Sequence, residues 1–430
     1  MVLRFALLAF LAACSQSLFD NSGGTKDGGP NGGEMPVAST CTAPCVGDAA
    51  ADFDGSPGGA NGRWRYLEDL RDRTWVPMTL EQASGVMIGA NTNNRIGVCK
   101  PGATEHACQA LPGALLVSAA GTVAPADPAI ELKAPMNQVV QISLKVAMPI
   151  NADPQVVRLY RNSREDVLFT GTVQPGMTLE TSITIDALAN ERILFALAAD
   201  TAVQDVGVQL FVSGTGATFP QSCQLAIAFG VAMGNGVDNL CGGDYTFQDY
   251  NTGATTPVLA AGPFAEQGMA ADITPDKYYE GTNLVMRSGD TTLQFWLRHD
   301  MLVPSYSAWP FSDLDLDNTG GIGVVLYDQS GLKLEVNTCT GAGNPLTFAG
   351  DRMVYPVDGA WHFVRVVHKA GVVNVCLDGK REFSFAAPAG TLGSQFRPHL
   401  GRNVVWLPSG AFYDGALDDV RVFTGALPCE

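Results

Sequence analysis

Side chains able to do chemistry are sparse in this 430-residue sequence, and their spacing limits what they could do. One carboxylate run has strand spacing: Asp313-Leu314-Asp315-Leu316-Asp317-Asn318 puts three aspartates on one face of an extended segment. Such a set could serve acid–base chemistry, line a cation-binding loop, or form a solvated strand edge. The Asn318-Thr319-Gly320-Gly321 that follows is turn chemistry. A complete EF-hand is excluded, because glycine is missing after Asp317 and Val324 stands where a bidentate glutamate is required. His362 and His368 share a strand face but lie roughly 20 Å apart at ~3.3 Å per residue, too far to ligate one metal. The sequence contains no Gly-x-Ser-x-Gly, no His-Glu-x-x-His and no Walker loop. Glu266, Glu280, Glu335, Glu382 and Glu430 are all isolated, so an acid and a nucleophile in strand register are missing.

Binding chemistry is better represented. Tyr306-Ser307-Ala308-Trp309-Pro310-Phe311 and Val405-Trp406-Leu407-Pro408 read as loops. There the rings of Tyr306, Trp309 and Trp406 could stack on the apolar face of a sugar while nearby Asp and Asn take its hydroxyls. The same rings could instead fold inward to cover a sandwich end. Trp296 and Trp361 fall inside strand patterns and are expected in the core.

The elements that must position these residues are strands. Hydrophobic content of 46% with 16% charged residues permits packed cores, and 48 Gly and 25 Pro favour many turns, hence all-β architecture. The length suits two or three domains. A net charge of −17 without clustered Lys and Arg excludes a phosphate-binding surface, so nucleic acid is not an expected partner. That charge is read as solubility, with affinity for divalent cations as the alternative. Ten cysteines, mostly outside Cys-x-x-Cys spacing, point to an oxidising compartment.

Along the chain, Arg4 and the apolar run Phe5–Ala13 are too short to span a bilayer. The run ends in Leu11-Ala12-Ala13-Cys14, which resembles the lipobox of bacterial lipoproteins. The resemblance implies a signal peptide over 1–14, acylation of Cys14, and lipid anchoring to the envelope of a Gram-negative bacterium, at the outer membrane or cell surface. An ordinary signal peptide with Cys14 incidental is the alternative. Residues 15–62, crowded with Gly, Asn, Asp and Pro, are expected to be a flexible linker, with Cys41 and Cys45 closing a local loop or pairing to a folded domain. Residues 63–215 read as a first, jelly-roll-like β-sandwich. Val140-Ile142-Leu144-Val146, Leu179-Thr181-Ile183-Ile185 and Val206-Val208-Leu210-Val212 each alternate apolar with polar neighbours.

Residues 219–430 form the second domain. Asp378-Gly379, between Val372–Leu377 and Lys380–Phe385, is a strong hairpin signal. Together with Asp358-Gly359-Ala360-Trp361-His362-Phe363-Val364 and Gly415-Ala416-Leu417-Asp418-Asp419-Val420-Arg421, it resembles the closing half of a laminin-G-like, concanavalin A-like jelly roll. That resemblance implies a non-enzymatic module binding glycan or an envelope or extracellular protein. A polysaccharide-active glucanase or lyase using Asp313–Asp317, and a structural or adhesion protein, are the alternatives. It also implies a structural Ca2+ ligated by Asp418, with Asp238 or Asp244 as partners. Local capping or pairing of Asp418 with Arg421 is the other reading. His362 fits the family's Trp-His packing pair. Neighbouring first and last strands in the family suggest a Cys223–Cys429 clasp. Cys339–Cys376 across the hairpin region and Cys99–Cys108 around Pro101-Gly102 are further candidates, leaving Cys241 as the odd thiol.

Overall fold

Strict alternation of apolar and polar residues produces strands with one buried face, and Gln138–Ala147 obeys it: Ile142, Leu144 and Val146 are fully buried while Gln141 is exposed. The computed structural model describes residues 45–53, 64–70, 75–81, 86–89, 97–99, 111, 113–119, 126–198, 204–219, 222–227, 229, 232–233, 236–241, 246–249, 259–263, 269–273, 278–281, 285–286, 289–299, 308–313, 321–328, 332–340, 347–387, 395–396, 398–402 and 413–429. All regular elements among them are strands, and every pairing is antiparallel. No helix among the described residues is long and apolar enough to cross a membrane. The chain divides into two compact units, Met1–Gln221 and Ser222–Glu430.

In the first unit one sheet runs Thr178–Ala187, Gln138–Ala147, Gln204–Gly214, Leu115–Ala119, Gly97–Cys99, Val86–Ile88, Thr79–Glu81. The other runs Ser163–Val173, Gln155–Arg161, Arg192–Ala198, Asp127–Lys133, Trp64–Asp69, Trp75–Pro77. Their facing side chains, among them Trp64, Ile130, Leu144, Phe195 and Leu210, make one core. One correction concerns the linker. Cys45–Asp48, within the stretch expected to be a spacer, is a strand paired with Gln204–Gly214, and Asp48 caps the turn after it through Ala50 and Ala51 N–H groups at 3.1 and 3.0 Å.

In the second unit one sheet runs Leu259–Ala261, Met269–Ile273, Gly415–Thr424, Thr291–Arg298, Trp361–Lys369, Val372–Leu377, Lys380–Ala386, with Cys223–Ile227 also on Gly415–Thr424. The other runs Ala232–Met233, Gly236–Asp238, Thr246–Asp249, Tyr279–Gly281, His399–Leu400, Ala308–Ser312, Gly321–Asp328, Leu332–Thr340, Thr347–Val354. Leu293, Phe295, Val324, Val336, Val366 and Val422 fill the space between them. This is the expected all-β sandwich. The hairpin turn forms where the Asp-Gly pair lies, with φ of 50° at Asp378 and 81° at Gly379, the doubly positive geometry that matches strand twist.

Candidate functional site

The Asp378 turn does more than reverse the chain. Its carboxylate accepts the Phe363 N–H at 2.9 Å and the His362 Nδ1 at 2.7 Å. Asp358, at the preceding turn, takes His362 Nε2 at 3.0 Å and the Ala360 N–H at 2.9 Å. The imidazole is therefore held between two carboxylates, with the Tyr355 ring against its edge at 5.3 Å. Burial alone would lower the His362 pKa, but the bonds to Asp378 and Asp358 outweigh it and raise it. The Ala360 N–H, and then His362, hold Asp358 below its ordinary value.

Arg298 and Trp361 are register partners on neighbouring strands, and the guanidinium lies 5.2 Å from the indole centroid. Both are half-buried. Trp361 opens its strand rather than sitting mid-strand, a correction to its expected core position. Trp296 is 2% exposed but alternates with Leu293, Phe295 and Leu297, so it lies on the opposite face from that core and packs on Phe363 at 5.1 Å. Beside Arg298 the Tyr413 hydroxyl donates to the Arg298 carbonyl at 2.6 Å, and His299 Nδ1 lies 2.7 Å from the Asp414 carbonyl. A Cβ on Gly415 would come within 2.5 Å of that Arg298 oxygen, so only glycine lets Tyr413 reach it. Residues 298–299 and 413–414 are thereby tied together next to the Trp361–Arg298 pair. Tyr306 and Trp406 lie outside the described residues. Trp309 is placed, but at 6% exposure in the strand Ala308–Ser312 it is not an exposed loop aromatic; the segment is a buried inner strand instead. Asp313 is 1% exposed, and its side chain accepts the Ile322 N–H, while Asp315 and Asp317 lie outside the described residues.

On the last strand a bulge opposite Gln294 and Trp296 puts Asp419 at φ 50°. Asp418 accepts the Asp419 N–H at 2.8 Å, and Arg421 pairs with Asp419 at 2.5 Å while its charge also acts on Asp418. Burial, then the Asp419 charge, push the Asp418 carboxyl up to about 8. The Asp238 side chain and Asp244 lie outside the described residues, and among the described residues no group of three His, Cys, Asp or Glu is placed to hold a metal.

The cysteine pairing differs from expectation. Cys223 bonds Cys241, and Cys376 bonds Cys429. The Cys223–Cys429 clasp and the Cys339–Cys376 bridge are therefore overturned, and Cys241 is not the odd thiol. After its last strand the chain turns back across the sheet. The Gly425 N–H donates to the Asp290 carbonyl, the Leu427 N–H to Thr292 Oγ1, and Arg365 to the Pro428 carbonyl, which carries Cys429 over to Cys376. Cys241 reaches Cys223 because Asn239 Oδ1 accepts both the Ala226 and Cys241 N–H groups. Cys108 and the Cys99 side chain lie outside the described residues, as do Cys14 and the Cys339 side chain.

Sequence reasoning also missed a charged layer on the first unit. Glu131, fully buried, takes Arg65 at 2.5 Å and Arg192, and Arg164 reaches buried Asp69 and Asp127 at 3.6 and 3.9 Å. These residues are scattered over four strands, and only their register brings them together. Buried charges in both signs, paired this way, read as structural neutralisation.

A family model described as the concanavalin A-like lectin/glucanases superfamily matches residues 274–430. Comparison with curated proteins finds no match. Among solved structures the chain is similar to a botulinum neurotoxin type C structure whose cell entry is described as dependent on two ganglioside molecules. The identity is 12% over 48% of this chain and 49% of that one, with TM-score 0.34. The match thus spans about half the neurotoxin chain. Domain 4 of the extracellular arabinanase AbnA from Geobacillus stearothermophilus, in complex with arabinotriose, matches at 18% identity over 49% of this chain and 96% of that one, TM-score 0.30.

Proposed function

We propose that this protein is a non-enzymatic binding module, held to the cell envelope by acylated Cys14, that takes a glycan at the rim where Trp361 and Arg298 meet. One observation carries the reading. The Tyr413–Arg298 and His299–Asp414 bonds join residues 298–299 to 413–414 beside a half-buried indole and its guanidinium. A ring face with adjacent donors is what a pyranose offers partners for: apolar C–H groups on one side, hydroxyls at the edge. Asp358, half exposed in its side chain, adds an acceptor on the neighbouring turn. Calcium at Asp418, with Asp238 or Asp244 completing it, would replace the proton that burial otherwise keeps on that carboxyl. The side chain of Asp313 bonds to backbone, which supports a binding role over catalysis in that strand.

A glycan array probed with the whole chain, with and without EDTA, tests the reading. Binding to one glycan class is expected, weakened about tenfold in Trp361→Ala. Loss in EDTA, restored by calcium and missing in Asp418→Asn, assigns the cation. Silence across the array overturns the glycan, and turnover of a polysaccharide that Asp315→Asn abolishes overturns the non-enzymatic role. An acyl-modified Cys14 is expected in the mass spectrum of protein extracted from membranes, and a plain cleaved terminus would dismiss the anchor.

A further inference from the structure

Sheet edges carry unpaired backbone donors and acceptors, and proteins that stay apart blunt them. Nearly every edge among the described residues is blunted. Thr79–Glu81, Trp75–Pro77 and Leu259–Ala261 have three residues each, the second ending in proline, and Ala232–Met233 has two. Cys45–Asp48 and Cys223–Ile227 are short and carry register shifts. Ser163–Val173 is bulged against its neighbour. Lys380–Ala386 opens with Lys380, Arg381 and Glu382, and Thr347–Val354 carries Asp351 and Arg352. Thr178–Ala187 is the exception. It is ten residues long and pairs with Gln138–Ala147 without a register break, and its outward face is Thr178, Glu180, Ser182 and Thr184. Its one outward charge, Glu180, is already matched by Lys145 at 3.0 Å.

We propose that this edge pairs antiparallel with the same strand of a second copy of the chain, about a two-fold axis at Thr181. The sequence of the strand is self-complementary about that residue. Thr178 faces Thr184, Leu179 faces Ile183, and Glu180 faces Ser182, so threonines meet, half-buried apolar side chains meet, and no like charges oppose. The same register sets Met177 opposite Ile185. It also brings the Pro175–Met177 turn of one copy to the strand end beside Met136 of the other. Met136, Ile150 and Met177 are 58%, 81% and 60% exposed, and they are the exposed large hydrophobics described in this unit. Ile150 lies against the turn that holds Met177, since a Cβ on Gly176 would meet it at 3.2 Å. A symmetric interface therefore covers all three, at two equivalent places.

Sedimentation equilibrium on the whole chain should return twice the monomer mass. Ser182→Glu adds two like-charged pairs with Glu180 per interface and should raise the dimer dissociation constant about tenfold. Ser182→Lys, placing opposite charges there, should leave the dimer intact or tighter, a contrast of sign that a folding defect would not produce. Thr181→Cys should cross-link the two copies under oxidation and release them with dithiothreitol, beyond any cross-link seen in the parent protein. A monomer at all concentrations, as expected if the edge takes a strand from another protein, overturns the proposal. So does a dimer that Ser182→Glu leaves unchanged, or that Thr181→Cys fails to link.

Discussion

At the scale of single residues, His362 has the most readable energetics. Its folded pKa is raised, so its bonds to Asp378 and Asp358 stabilise fully below the unfolded histidine value, near ~6.5, and fade as pH climbs through the folded value. Asp358 is lowered, so its share persists above the unfolded aspartate value and is lost as pH falls through the folded one. The clamp is thus strongest in mildly acid solution. Chemical denaturation of His362→Gln should show a deficit of about 1 kcal/mol near pH 5.5 that shrinks by pH 8. A deficit that grows with pH would refute the imidazolium assignment. The sequence marked His362 as a packing partner of its tryptophan. It could not show the two carboxylates, because Asp358 and Asp378 converge only once the hairpin has closed.

Elements explain which turns were legible. Asp378-Gly379 announces its backbone, since both residue types tolerate positive φ. The neighbouring Ala370-Gly371 turn has the same geometry, with φ of 49° and 80°, yet alanine carries no such signal. There the Asp290 side chain holds the Ala370 N–H at 3.0 Å, a long-range substitute for local preference. The rim depends on a comparable contact. Gly415 read as part of a family motif, whereas its physical task is to leave room for the Tyr413 hydroxyl beside the Arg298 carbonyl. Gly415→Ala should cost about 2–3 kcal/mol and loosen the junction of residues 298–299 with 413–414. Thermal melting together with faster amide exchange at Arg298–His299 would register it, and an unchanged melt would show the strand shifting freely. Disulfide partners were misjudged for a related reason. Strand neighbours predict where strands end, not where the chain goes after leaving one.

For the molecule as a whole, the alternation of apolar residues was enough to anticipate two sandwiches, because burying one face is a local property of each strand. Strand order and edges were not available from it, since they depend on which distant segment arrives beside which. Gly415–Thr424 shows what that means. It lies inside its sheet, hydrogen-bonded to Cys223–Ile227, Met269–Ile273 and Thr291–Arg298, although nearly two hundred residues separate it from the first of these. Of the second unit's described strands it is translated after all the others. Everything made earlier in that unit must wait, uncommitted, for the strand that joins its sheet from the middle. Refolding of this unit should accordingly be slow, and a chain ending before Gly415 should retain the first unit's cooperative melt while showing none for the second. A truncated chain that kept both transitions would mean that the sheet can close without its middle.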